Sequence, residues 1–374
     1  MPWRSIATDG VEAAHGLAAD EVICRQVGAD RSPATLRLYT YRSHCALVGR
    51  FQNLEQELDL EYCQNNNIQL NRRPTGGGAI LMGRDQLGIA LALNGRGPKM
   101  HGRPRDLMER FSSGVLHGLN QLGVHAKFRG KNDLEIGGRK IAGLGIYRDS
   151  NGGLLFHGSL LVDLDVELMA RVLKTPFDNI GDHELKIISR RTTTVRHQRQ
   201  DSIPMDDVKQ VIASGFAKSF GITLEPSSLD AEELAATDAL VQEKYSSNAW
   251  LHQRSDVPDR DGRSSLRIEA GNIEARVAMA GKVIKSALLL GNFFADEDAI
   301  VDLEGRLRWH PSDAIAIGET IREWAFASPA NGLDPAALAK VLVAATQNAA
   351  AGTEQPSSYG CFVNPSKPGA PSHG

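Results

Sequence analysis

The sequence lacks the features that are typical of zinc-binding, disulfide-bonded, membrane-spanning and secreted proteins. Its four cysteines, Cys24, Cys45, Cys63 and Cys361, show no Cys-x-x-Cys spacing, so we expect neither a zinc site nor a disulfide framework. No segment reaches the roughly 18 uninterrupted apolar residues that a membrane-spanning helix needs. The first ten residues carry no apolar run behind a basic start, so we predict no signal peptide and expect a cytoplasmic location.

Neither sign of charge is in excess. The chain has 42 Lys and Arg against 45 Asp and Glu, a formal net charge of −3, so general affinity for polyanions is not expected and nucleic acid is excluded as the predicted partner. With 374 residues, of which 41% are hydrophobic and 23% charged, the composition is that of an ordinary globular protein. The length is sufficient for two domains.

Glycine, by contrast, is concentrated in one stretch, Arg72-Arg73-Pro74-Thr75-Gly76-Gly77-Gly78, which an apolar run follows. Consecutive glycines adopt backbone angles that side chains forbid, at an entropic cost that suits a close approach to a ligand. The arginines carry planar forks of donors for a carboxylate or phosphate. Taken alone, however, Gly-Gly-Gly favours a tight turn with solvated arginines. The spacing matches neither a Walker loop nor a dinucleotide-binding fingerprint.

A second stretch, from Lys131 to Gly143, predicts a strand, a Gly-Gly hairpin turn and a returning strand that carries Lys140. Asn132 and Asp133 offer oxygen ligands for a hard cation, and Asp133 is the candidate ligand for Mg²⁺. Lys140 offers a point positive charge on a long stem. Because a lone lysine on a strand is usually solvated, its assignment depends on the motifs around it.

Together these stretches resemble the catalytic domain of the lipoate-protein ligase A family, within the biotin/lipoate A/B protein ligase superfamily. That family shows Arg-Arg-x-Ser/Thr-Gly-Gly-Gly-Ala, Asn-Asp, Gly-Arg-Lys-Ile-x-Gly and His-Gly-Ser/Thr-Leu-Leu in this order. Here the last motif is His157-Gly158-Ser159-Leu160-Leu161. The ordered set is more specific than any one motif. One departure is Met82-Gly83, where many members carry His-Asp.

The resemblance implies an α+β fold, with a large mixed-sheet biotin/lipoate ligase-like catalytic domain and a small α+β C-terminal accessory domain. We place the catalytic domain at residues 1–255. The accessory domain is predicted at 262–349, where three alternating apolar runs precede three helical segments. Residues 350–374 are rich in Ser, Pro and Gly, and we expect a disordered tail there.

The resemblance also implies a reaction in two steps. Lipoate and ATP, with Mg²⁺, first form lipoyl-adenylate and pyrophosphate, and a lysine of a lipoyl carrier protein or lipoyl domain then attacks the adenylate. Lys140 is the implied catalytic residue, because two reacting anions need positive charge beside them. Lys186 resembles a phosphate-contacting lysine of the family, although a basic surface loop fits that segment equally well. The implied lipoyl-adenylate site comprises Arg72, Arg73, Thr75, Gly76, Gly77, Gly78, Asn132, Asp133, Gly143, His157, Gly158, Ser159 and Lys186.

Two alternatives stay open. A relative that transfers octanoyl or lipoyl groups between carrier proteins, without ATP, needs a thiolate beside the lysine. No cysteine lies between Cys63 and Cys361, and only folding sets proximity. The other alternative is a non-catalytic relative that binds lipoyl-adenylate. Whether the protein is a ligase, a transferase or an adenylate-binding relative, the acyl chain needs an apolar slot. The candidates for this slot are Leu47, Ile80 and the run 87–93.

Overall fold

The computed structural model describes residues 3–50, 52–97, 100, 102–129, 132–174, 181–252, 259–268, 271–291, 297–327 and 333–351. Its strands are β1 (Trp3–Val11), β2 (Thr35–Tyr41), β3 (Cys45–Val48), β4 (Gln69–Arg72), β5 (Ile80–Met82), β6 (Gln86–Asn94), β7 (Lys127–Arg129), β8 (Asp133–Ile136), β9 (Arg139–Arg148), β10 (Gly153–Leu161), β11 (Leu224–Pro226), β12 (Asp259–Ile268), β13 (Gly271–Ala280), β14 (Val283–Gly291) and β15 (His310–Pro311).

The helices of the described residues are α1 (Ala13–Gly28), α2 (Leu54–Glu57), α3 (Leu60–Asn65), α4 (Pro104–Gln121), α5 (Val166–Val172), α6 (Asp182–Ser189), α7 (Val195–Arg199), α8 (Met205–Phe220), α9 (Ala231–Leu240), α10 (Asn248–Leu251), α11 (Glu297–Leu307), α12 (Ala314–Ala327) and α13 (Pro335–Ala351). A π-helical turn, Val241–Tyr245, continues α9. None of the described helices is long and apolar enough to cross a membrane.

The larger part of the chain is built on a mixed eight-stranded sheet, in the order β11-β1-β2-β6-β10-β9-β8-β7. The β1 pairings with β11 and β2 are parallel, and the pairings from β2 through to β7 are antiparallel. Helices α4 and α8 supply Phe111 and Phe216 to the core on one face, whereas α1 supplies Leu17 and Ile23 to the core on the other. Such two-sided burial explains why β2, with residues like Leu38 and Tyr39, is buried along its whole length.

A smaller sheet lies beside it, with β3 at its centre between β4 and β5. The β3–β4 pairing is parallel and the β3–β5 pairing is antiparallel. The glycine stretch therefore connects two strands that flank the same neighbour. This geometry places Gly76 to Gly78 at the end of β3.

The C-terminal part forms a separate antiparallel sheet, β12-β13-β14-β15, which α11, α12 and α13 cover. Its core contains Trp324, Ile273, Val277 and Leu338, and each of these is fully buried. The predicted small α+β domain is thus present, although its elements extend from Asp259 to Ala351 and not only over 262–349. Of the predicted tail, 350–374, the first two residues belong to α13 and the rest lie outside the described residues.

Helix α11 contacts the turn between β8 and β9. A Cβ atom added to Gly138 would lie 2.7 Å from the Cα of Asp302, so only glycine allows this approach of two backbones. Arg129 pairs with Asp302 at 3.0 Å. The β8–β9 hairpin, which carries Lys140, is therefore in direct contact with the small domain.

Candidate active site

Lys140 lies on β9 and is held both at its backbone, by residues 191–193, and at its side chain, by β8. The backbone N–H of Lys140 donates to the carbonyl of Arg191 at 2.9 Å, and its carbonyl accepts from the N–H of Thr193 at 2.8 Å. The side-chain Nζ lies 2.9 Å from Oδ1 of Asp133. A Cβ atom at Gly143 would lie 3.0 Å from this Nζ, so glycine there leaves room for the ammonium group.

Asp133 is a buried carboxylate, with 2% of its surface exposed. Burial alone would raise its pKa, but the charges of Lys140 and Arg308 outweigh burial and hold the pKa below its ordinary value. The carboxylate is therefore ionised at neutral pH. Its second oxygen, Oδ2, accepts from Nη1 of Arg308 at 2.8 Å.

Arg73 shapes the glycine loop. Its Nη2 donates to the carbonyls of Gly76 at 3.0 Å and Gly78 at 2.7 Å, and its Nη1 donates to the carbonyl of Leu47 at 3.1 Å. Gly77 has a φ of +100°, which side chains rarely adopt. The loop conformation is thus fixed from inside by one guanidinium.

Arg72 does not fit the phosphate-binding role that the resemblance implies. It is fully buried, and its guanidinium donates to the carbonyls of Gly49, Trp250 and Leu251 at 2.8–3.0 Å. Carbonyls of a loop and of a distant helix already occupy this fork of donors. In the described structure Arg72 therefore ties the chain around Trp250 to the end of β4.

A pocket of about 520 Å³, including the space at its open mouth, lies between Lys140 and the apolar side chains of β2, β3 and α1. The predicted slot residues Leu47 and Ile80 line it, whereas of the run 87–93 only Gly88 does. Its lining comprises Leu17, Tyr39, Tyr41, Leu47, Arg73, Thr75, Gly78, Ile80, Met82, Gly88, Asn132, Lys140, Gly143, Leu144, Gly145, His157, Gly158 and Ser159.

Two polar atoms in this lining have no hydrogen-bond partner among the described residues. They are Oγ1 of Thr75 and Oδ1 of Asn132, and both are buried. The amide nitrogen of Asn132 is engaged, because it donates to the carbonyl of Leu144 at 3.1 Å. Buried polar atoms are nearly always paired in folded proteins, so these two oxygens are candidates for contacts to a ligand.

His157 lines the same pocket and rests on a buried polar cluster that the sequence interpretation missed. Its Nε2 lies 3.0 Å from Asp20, which also accepts from Tyr39 at 2.8 Å and from Arg37 at 2.7 Å. The apolar spacing of α1 predicts Asp20 and Glu21 on the outside of the helix. This prediction is wrong, since both are completely buried. A charged pair within an otherwise apolar helix is the signal that could have identified them.

The remaining predicted site residues lie apart from the pocket lining. Gly76 and Gly77 belong to the loop behind Gly78, and Asp133 lies behind Lys140. Lys186 is exposed on α6, so this segment is a helix and not the basic surface loop that was the alternative interpretation. Its contact with a phosphate stays a prediction.

The residues around Asp133 do not fit a protein-held magnesium ion. Each oxygen of this carboxylate already faces a cation, Lys140 on one side and Arg308 on the other. Nor do the described residues contain any group of three His, Cys, Asp or Glu side chains placed for a metal. We therefore treat Mg²⁺ as part of an ATP substrate rather than as an ion that Asp133 holds.

The described cysteines are not placed as nucleophiles. Cys24, Cys45 and Cys63 are all buried, and none of them lines the pocket. Burial raises the pKa of the Cys63 thiol to about 11, and it raises the pKa values of Cys24 and Cys45 as well. A reactive thiolate needs the opposite shift.

A lysine that pairs with a buried carboxylate beside an apolar slot is an arrangement suited to a ligand with an anionic group and an apolar tail. The sequence model of the lipoyl protein ligase A/B catalytic domain matches residues 12–217, more than half of the chain. The chain therefore belongs to the lipoyl protein ligase A/B family.

Relatives within this family carry two different activities in their names. The octanoyltransferase LipM of Brevibacillus brevis is 28% identical over 67% of this chain and 99% of its own length. The lipoate–protein ligase 1 of Staphylococcus aureus is 25% identical over 82% of this chain and 90% of its own length. The longer match includes part of the small C-terminal domain.

Solved structures support the fold. A bipartite lipoate protein ligase of Thermoplasma acidophilum, described together with its E2 lipoyl domain, matches with a TM-score of 0.60 and 26% identity, over 67% of this chain and 96% of that one. A lipoate-protein ligase A bound with ATP matches with a TM-score of 0.58 and 24% identity, over 67% of this chain and 99% of that one.

Proposed function

We propose that this protein is an ATP-dependent lipoate-protein ligase. It activates lipoate as lipoyl-adenylate and then transfers the lipoyl group to a lysine of a lipoyl carrier protein or lipoyl domain. The observation that carries the proposal is the pocket itself, which combines Lys140 with an apolar slot and has no cysteine in its described lining.

The first step brings a carboxylate to the α-phosphate of ATP, so two anions must approach each other. Lys140 supplies the positive charge at that point, and Arg73 adds a second cation to the lining. Oδ1 of Asn132 can accept a hydrogen bond, and the Thr75 hydroxyl can accept or donate one, so these two buried groups suit the hydroxyl, amino and phosphate groups of a nucleotide. In the second step Lys140 stabilises the charge that develops on the acyl oxygen when the acceptor lysine attacks.

The choice of acceptor rests on the chemistry of the second step and on a related protein. A protein lysine is the nucleophile that converts an acyl-adenylate into a stable amide, and the related ligase of Thermoplasma acidophilum is described together with a lipoyl domain. A lipoyl domain of that type is therefore the acceptor to present to this enzyme.

Octanoyl transfer is the second candidate, because several similar relatives are named octanoyltransferases. In that reaction the acyl group arrives as a thioester and ATP is not consumed. A thioester intermediate on the enzyme would need a thiolate, and the three described cysteines are buried with raised thiol pKa values.

Lipoate-dependent exchange between ATP and pyrophosphate tests the proposal. We expect exchange that requires lipoate and that Lys140→Ala abolishes, while Lys127→Ala, which alters an exposed lysine on β7, retains it. Absence of exchange together with octanoyl transfer from an acyl carrier protein would select the second candidate. Absence of both activities would leave an adenylate-binding protein.

A further inference from the structure

Arg308 reaches the catalytic hairpin from the small domain. It follows directly after α11, and its side chain is only 14% exposed. The next residue, Trp309, has a φ of +58°, which is uncommon for a bulky residue. Such a conformation persists only where the surrounding structure determines it, and here it lies in the short turn between α11 and β15 that carries Arg308.

The guanidinium of Arg308 joins two buried carboxylates of β8. Its Nη1 lies 2.8 Å from Oδ2 of Asp133 and 3.2 Å from Oε1 of Glu135. The other oxygen of Asp133 faces Nζ of Lys140 at 2.9 Å. Asp133 is therefore shared between the catalytic lysine and an arginine that lies 175 positions further along the chain.

The charges in this cluster balance. Asp133 and Glu135 are 2% and 4% exposed, and Lys140 and Arg308 supply one positive charge each. Burial raises the pKa of Glu135, the Asp133 charge beside it adds to this effect, and Arg308 opposes it. Without Arg308, both carboxylates would face the ammonium group of Lys140, which would be drawn toward them and away from the pocket.

A second connection runs through the backbone of Lys140. Glu304, one turn before Arg308 on α11, accepts from Arg191 at 2.9 Å and from the N–H of Leu289 at 2.8 Å. The carbonyl of Arg191 accepts in turn from the N–H of Lys140. The same helix thus reaches both the side chain and the main chain of the catalytic lysine.

We propose that Arg308 is a positioning residue for Lys140. By neutralising its share of Asp133 and Glu135, it leaves the ammonium group of Lys140 available to the reacting acyl oxygen and phosphate. This inference rests on the proposed function, which assigns Lys140 its role. It gives the small domain a part in the adenylation step, even though the described pocket lining comes entirely from residues 17–159.

The test compares variants that remove the positive charge of Arg308 with a double variant that also removes a negative charge beside it. We expect Arg308→Gln to lower kcat for lipoyl-adenylate formation about 10-fold, because it weakens charge stabilisation at Lys140. The KM for lipoate should change less than about twofold, since Arg308 does not line the described pocket. Arg308→Lys should retain intermediate activity, because it keeps the positive charge but carries it on a shorter side chain that reaches the two carboxylates less well.

The double variant Arg308→Gln/Glu135→Gln should regain most of the lost kcat, since it removes one negative charge along with the positive one. Arg306→Gln is the matched control: Arg306 lies in the last turn of α11, two residues before Arg308, and pairs with Asp302 at 2.7 Å. A double variant no better than the single one, or a control equally impaired, would show that Arg308 only docks the small domain and would overturn the proposal.

A readout that does not depend on the reaction separates this inference from the proposed function. A small amine-reactive ester should acylate Lys140 more slowly in the full-length Arg308→Gln protein than in the wild type, and the double variant should recover the rate. Peptide mass spectrometry measures both rates. Unchanged labelling of Lys140 in folded Arg308→Gln refutes the inference, whichever acyl-transfer reaction the enzyme performs.

Discussion

The two sides of the pocket use arginine in different ways. On the glycine-loop side, Arg72 and Arg73 donate to backbone carbonyls and so act as internal scaffolding. On the hairpin side, Arg308 pairs with carboxylates that also face Lys140. An arginine held by carbonyls stabilises a loop, whereas we propose that one sharing a carboxylate with Lys140 changes the charge that this lysine presents. Which role applies depends on the acceptors and not on the motif.

The largest expected effect lies on the hairpin side. Lys140→Ala should lower lipoyl-adenylate formation by about 100-fold or more, because one positive charge is lost where two anions meet. The variant should be less stable than the wild type but still folded, because Asp133 stays buried and loses one of its two cations while Arg308 still pairs with it. Single-turnover adenylate formation and calorimetry measure the two quantities. A folded Lys140→Ala protein with normal activity would remove Lys140 from the mechanism.

Arg72→Lys probes the scaffold side. We expect it to lower the free energy of unfolding by about 3 kcal/mol, because a buried ammonium cannot replace the fork that joins several carbonyls. The KM for ATP should stay within about twofold of the wild-type value in protein that remains folded. Urea unfolding and steady-state kinetics separate the two effects. A raised KM with unchanged stability would restore the phosphate-binding role of Arg72.

The contact between the hairpin and the small domain can be broken at a single glycine. Gly138→Ala places a Cβ atom 2.7 Å from the backbone of Asp302, so α11 must move away and take Arg308 with it. Gly137→Ala is the matched control, because Gly137 also has a positive φ but meets no atom within 4 Å.

In both variants an alanine must adopt a positive φ, which lowers the free energy of unfolding by about 1 kcal/mol. We expect only Gly138→Ala to lose about 10-fold in adenylation rate and to exchange the β8 and β9 amide hydrogens faster. Equal kinetics in the two variants would show that contact with α11 does not matter for the chemistry.

The smallest expected effect concerns the cluster beneath His157. Burial would raise the pKa of Asp20, but Arg37 and His157 outweigh it and lower the pKa. A lowered pKa in the folded state contributes stability above the unfolded value of about 3.9, and this contribution is lost as the pH falls through the folded value. The stability difference between wild type and Asp20→Asn should therefore shrink on acidification. Urea midpoints from neutral to acidic pH measure it, and a constant difference would contradict the assigned charge state.

The local parts of the site were predictable from sequence. The strand, Gly-Gly turn and returning strand around Lys140 follow from short-range turn chemistry, and the structure confirms them. The carbonyl partners of Arg72 and the approach of Arg308 to Asp133 were not predictable, because they join residues that are far apart in the chain. The burial of Asp20 required knowledge of Arg37, which sits on a neighbouring strand.

The central claim is that this pocket activates a free acid with ATP rather than receiving a thioester. In the most direct measurement, the purified enzyme and a lipoyl domain are incubated under two conditions. One contains lipoate and magnesium ATP, and the other contains an octanoyl carrier protein without ATP. Intact mass spectrometry then records the modification of the acceptor lysine. We predict lipoylation that needs ATP and disappears with Lys140→Ala, and only slow transfer from the thioester. Rapid ATP-independent octanoylation with no ATP-dependent lipoylation would contradict the account.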